Sequence, residues 1–81
     1  MTTKAKPREG TLAWARAEVR KVYGCGAEVQ ARRIAFGSSD WGFSAAAFKP
    51  GEISAAKWIT EKPTKAAALR ALVAAVKEAA K

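Results

Sequence analysis

Eighty-one residues make room for one domain and leave none for two independent cores. Half of the apolar 49% is alanine, so few large side chains remain, and self-association into a homodimer stays open as an extra source of burial. Fifteen Lys and Arg against seven Asp and Glu give a net charge of +8, which attracts polyanions, while one cysteine and no histidine exclude an internal disulfide and an ordinary zinc site.

The first ten residues are polar, basic and broken by Pro7 and Gly10, and they read as a flexible basic arm over 1–10 before a single domain over 11–81. They lack the apolar segment of a secretory signal, and no run of about 18 apolar residues marks a membrane-spanning helix. The expected compartment is the cytoplasm, in keeping with an unpaired cysteine. Thr11 can cap a helix in which Leu12, Ala15, Val19 and Val22 recur at helical spacing, and Gly24 supplies a stop without a Cβ penalty. The spacing predicts a helix from Leu12 to Tyr23. Arg16 and Arg20, four apart, share its outer face, where their mutual repulsion invites an anion.

Ala27 to Phe36 carries Val29 and Ala31 on one parity and Ile34 and Phe36 on the other, so a bulge near Arg32-Arg33 is one way to make a single strand of it. Gly37-Ser38-Ser39-Asp40 reads as a turn, which sets Trp41 at a hairpin tip. Trp41 to Ala45 then alternates large with small, as a half-buried strand does. Pro50-Gly51 is a turn in which proline presets φ and glycine accepts positive φ. Ile53 to Thr60 suits either a third strand or a helical turn. The strand is preferred, because Trp58-Ile59-Thr60 is rich in strand formers and ends before Pro63. Thr64 caps the last element, where Leu69, Leu72, Val73, Val76 and Ala80 form an apolar stripe and alanines favour helix from Lys65 to Ala80. The order α-β-β-β-α predicts an α+β fold, a small three-stranded antiparallel sheet packed against two helices.

Catalytic equipment is sparse. Without histidine, a triad with a His base is impossible, and no two acids lie three or four apart on a predicted helix. Neither GxGxxG nor GxxxxGK[ST] occurs. The expectation is a protein that is not an enzyme, with no cofactor and no metal. Cys25, between Gly24 and Gly26, reads as a small residue in a helix-ending turn, since no histidine stands ready as its base.

The charge pattern is more informative. Residues 1–33 hold eight basic and three acidic groups, residues 62–81 hold five and one, and the centre is nearly neutral. Arg16, Arg20, Arg32, Arg33, Lys62 and Lys65 are the candidate contacts to nucleic acid or an acidic partner. Lys62 and Lys65 flank a helix N-terminus, which favours anions by itself. Trp14 and Trp41 are candidate aromatic contacts, because rings beside cations can stack bases while the cations hold phosphates. Trp58 is expected in the core, as a domain short of leucine needs large rings there.

Lys62-Pro63-Thr64-Lys65-Ala66-Ala67-Ala68, at the start of the last helix in an α-β-β-β-α order, resembles the corresponding segment of double-stranded RNA-binding domains. That resemblance implies lysines on phosphates across the duplex groove. The histidine-bearing strand loop of that family is missing, and Pro63 thins its lysine run. The passage Lys57-Trp58-Ile59-Thr60 into Pro63-Thr64-Lys65 is also similar to small accessory proteins of phages and mobile elements, anti-CRISPR proteins among them. Many of those mimic DNA and are acidic, which a +8 chain is not.

The leading expectation is a small basic non-enzymatic binding module for nucleic acid or a nucleoprotein complex. The alternatives are a phage-type, anti-CRISPR-like inhibitor that binds a host defence protein complex, and a homo-oligomeric structural protein.

Overall fold

Two threonines start the two helices. In the computed structural model, which describes residues 8–36 and 40–80, the Trp14 N–H donates to Thr11 Oγ1 at 3.2 Å and the Ala67 N–H donates to Thr64 Oγ1 at 3.0 Å. Each bond satisfies a backbone donor that a helix start leaves open. Helix α1 then runs Leu12–Tyr23 and α2 runs Lys65–Ala79. At the far end of α1 the Gly24 N–H donates to Arg20 O at 2.9 Å, and Gly24 leaves the helix at φ 113. The expected arm residues 1–7 and the turn residues 37–39 lie outside the described residues. Residues 8–10 are packed against the body: Gly10 is buried at φ 90 beside Ala66, and Glu9 meets Arg70 at 3.3 Å.

Between the helices lie β1 (Glu28–Phe36), β2 (Asp40–Phe48) and β3 (Lys57–Lys62), in an antiparallel sheet ordered β1-β2-β3. The protein has an α+β fold of two helices on a three-stranded sheet. Asp40 opens β2, so Trp41 is the second residue of a strand.

Strand β1 departs from expectation. It pairs with β2 without a shift from Glu28↔Phe48 to Phe36↔Asp40, so no bulge occurs at Arg32-Arg33. Strict alternation puts Val29, Ala31 and Arg33 on the face the helices cover and Gln30, Arg32 and Ile34 on the other. Ile34 is accommodated half-buried on that open face, which removes the need for a bulge. The irregularity falls in β3 instead. Phe43 pairs with Lys62 and Ala45 with Ile59, so β3 spends one more residue than β2 over that stretch. Glu61, at φ 63, takes up the extra length in the left-handed region.

The third strand also starts later than expected. Residues 53–56 are a loop with Ile53 97% exposed, and the strand is entered at Lys57 after the Ala56 N–H donates to Ala47 O at 2.8 Å. Pro50-Gly51 turns as anticipated: the Glu52 N–H donates to Lys49 O at 3.1 Å, with Gly51 at φ 78.

The core lies between the helices and one sheet face. Ala45 and Ala47 in the central strand are small enough to let α2 lie close over β2 and β3, while α1 packs over β1. Leu69, Leu72, Val19 and Val76 fill that gap and are fully buried, each contributing about 1.5–3 kcal/mol. Ile59 joins this cluster from β3. Its neighbour Trp58 therefore points the other way and is 68% exposed, contrary to the expectation of a core tryptophan.

Candidate functional site

Antiparallel pairing puts the end of β1, the start of β2 and the end of β3 at one edge of the domain. Helix α2 begins there, three residues after Lys62. The start of α1 is brought to the same place by Gly10 against Ala66 and Glu9 against Arg70. Two helix N-termini thus open at one end, and neither has an acidic residue in its first turn. Their free N–H groups and dipoles favour anions.

Three of the six basic candidates stand at this end, beside Arg8 and the Glu9-paired Arg70. Arg33, Phe43 and Lys62 form one transverse row across the sheet on the helix side, which sets the Arg33 and Lys62 backbones about 10 Å apart. Lys65 is the exposed first residue of α2. None of Arg33, Lys62 and Lys65 forms an ion pair with a described residue. The acids nearby are Glu9, which is held by Arg70, the exposed Glu61 of the bulge, and Asp40, the first residue of β2. Trp41 is 59% exposed, and the Arg33 guanidinium lies 4.8 Å from its ring centre. That contact extends the arginine along a flat aromatic surface.

The remaining candidates lie elsewhere. Arg20 and Arg16 reach Glu28 at the start of β1, at 3.0 and 3.7 Å, and Arg20 Nε also donates to Ala27 O at 3.0 Å. One glutamate thereby relieves the repulsion expected between these two arginines. Arg32 is exposed on the open sheet face, back to back with Arg33. Trp14 is half-buried against the core. Of six basic candidates, the fold brings Arg33, Lys62 and Lys65 together and separates the other three. Sequence spacing could not show this, because Glu28 and the arginines are joined only by the α1–β1 turn.

A second ion-paired cluster has a structural task. Glu18 on α1 accepts Lys77 of α2 at 2.7 Å and Lys21 at 2.9 Å. These two ammonium groups, Lys77 foremost, hold its carboxyl below the ordinary carboxylate value. The clasp ties the two helices together.

The open sheet face carries a feature that sequence reading missed. Trp58, Ala46 and Gln30 form a row across β3, β2 and β1, beside Arg32 and Ser44. A legible signal existed: Ile59 shares parity with Ile53 and Ala55, so a strand that buries Ile59 must turn Trp58 outward. A larger cleft, about 630 Å³, lies near the helix C-termini, where Lys49, Lys57 and Glu52 mix both signs and Lys49 Nζ sits 5.5 Å from the Tyr23 ring centre.

Among the described residues no group of His, Cys, Asp and Glu could hold a metal, and no helix is long and apolar enough to cross a membrane. In comparisons with known proteins, no family model, no curated protein and no solved structure matches this chain.

Proposed function

We propose that this protein is a non-enzymatic cytoplasmic module that binds nucleic acid, holding duplex phosphates at the end where both helices begin. One observation carries the reading. Arg33, Lys62 and Lys65 gather there without an ion pair to any described residue, whereas Arg16, Arg20, Lys21, Arg70 and Lys77 are taken up by Glu28, Glu9 and Glu18. Cations left unpaired beside uncompensated helix N-termini attract phosphate from two sources at once. Three neutralised phosphates give a slope of log affinity against log salt of about −2.7 on duplex DNA.

Titration of duplex RNA and duplex DNA at low and moderate salt tests this. The expected result is binding that weakens with salt and is lost when Lys62 and Lys65 are both changed to alanine. Binding indifferent to salt, or to that double substitution, would rule it out.

A protein partner is the second reading, that of a phage-type inhibitor docking on a host defence complex. Exposed Trp41 beside Arg33 favours it, since tryptophan and arginine dominate interface hot spots. Stable capture by a purified partner, with no affinity for oligonucleotides, would select it.

A further inference from the structure

Both helices cover one face of the sheet, and the other face is open along its middle. Its central strand carries Ser44 and Ala46, short side chains, while the flanking strands carry Gln30, Arg32 and Ile34 on one side and Trp58 on the other. Small residues between long ones make a trough of about 380 Å³, lined by those six residues. The trough thus follows from strand pairing alone.

We infer that this trough is a binding surface for unpaired nucleotides, in which a base stacks on Trp58 and Arg32 holds an adjoining phosphate. This goes beyond the duplex-phosphate reading and rests on it only for the class of ligand. The lining supports the choice group by group. Trp58 offers a broad π surface that is 68% exposed. Gln30, across Ala46 in the same row, has an amide that both donates and accepts toward a base edge. Arg32 makes no ion pair with a described residue and sits one same-face step from that row, about 7 Å along the strand. Ser44, opposite Arg32, is buried and forms part of the trough floor.

No carboxylate lines the trough. Glu28 shares the parity of this face but is engaged by Arg16 and Arg20. Asp40, paired with Phe36, shares that parity two residues beyond Gly42, so it is the trough itself that is cationic, aromatic and without a carboxylate, the combination that sequence-tolerant binding of single strands uses. A second copy of the chain fits less well. It would bring together two chains of +8 and leave each Arg32 without an acid in the partner's trough. Arg32 and Arg33, neighbours on edge strand β1, point to opposite faces, so an unpaired strand can leave a duplex at Arg33 and turn round this edge into the trough.

The test is fluorescence anisotropy with a labelled single-stranded RNA oligonucleotide and, separately, a blunt duplex. Trp58→Ala should weaken single-strand binding about 5- to 100-fold, the loss of one stacked base, and leave duplex binding within about twofold. Trp58→Phe should retain most of the affinity, and both variants should melt within a few degrees of the parent because the ring is exposed. Arg32→Ala should reduce the salt slope on single strands by about 0.7. Single-strand affinity unchanged by Trp58→Ala would overturn the inference. So would a parent protein that sediments as a dimer dissociated by Trp58→Ala, since a second copy would then cover the trough. Duplex binding lost with Lys62 and Lys65 but without single-strand binding sinks this inference alone. Single-strand binding through Trp58 without duplex binding sinks only the reading of the basic end.

Discussion

The Arg33 guanidinium stands 4.8 Å from the centre of the Trp41 ring, across a diagonal of the β1–β2 hairpin. Strand pairing puts Arg33 opposite Phe43 and Trp41 two residues away on the same face, within reach of a long side chain. The contact holds one of the unpaired cations of the basic end against an aromatic surface, and it separates the charge of Arg33 from its position.

The two contributions can be measured apart. Arg33→Ala removes a phosphate contact, so the salt slope on duplex DNA should fall by about 0.9. Trp41→Ala leaves the charge and should leave the slope unchanged. A double-mutant cycle on the pair, followed by urea unfolding, should return a coupling of about 0.5–1 kcal/mol.

Arg20 should behave differently from Arg33. It donates to Ala27 O and Glu28 at 3.0 Å each and stitches α1 to the start of β1. Arg20→Ala should therefore cost about 1 kcal/mol of stability while duplex affinity stays within about twofold. Denaturant midpoints and binding curves on the same preparations separate the two effects. A large affinity loss without destabilisation would return Arg20 to the binding surface.

Acid should loosen the helix pair through Glu18. Lys77 and Lys21 lower its carboxyl pKa from the ordinary 4.5 in the folded chain, so the folded state binds that proton less readily than the unfolded state. The stability this supplies is complete above pH 4.5 and is lost as pH falls through the lower folded value. Glu18→Gln should lower Tm by several degrees at neutral pH, about 1 kcal/mol, and the difference from the parent should close at low pH. Thermal melts from neutral to acidic pH check the sign.

Glu61 carries both an unfavourable backbone and an unhelpful charge. At φ 63 it sits where a side chain costs about 1–2 kcal/mol, and it precedes Lys62. Glu61→Gly relieves that strain against an entropy cost of about 0.5–1 kcal/mol, so stability should hold or rise slightly. Removing the carboxylate should raise duplex affinity about 1.5- to 5-fold at low salt. Lower affinity would mean that Glu61 takes part in binding.

What the chain determines locally could be read from its residues. Thr11 and Gly24 bound α1 at Leu12 and Tyr23, Thr64 starts α2, Pro50-Gly51 turns, and the order α-β-β-β-α follows. Caps, turns and helical periodicity act over a few residues, so their signals sit in the sequence itself. The face each strand residue takes was decided by tertiary packing. β1 holds apolar residues on both parities, and α1 chose between them by covering Val29 and Ala31, which put Arg33 on the helix side and Arg32 on the open face. Burying Ile59 under α2 turned Trp58 outward, and Glu28 drew Arg16 and Arg20 away from the basic end. Each of these outcomes depends on groups that meet only after the chain closes on itself, because a strand's alternation sets two faces and long-range contact alone selects which one is buried.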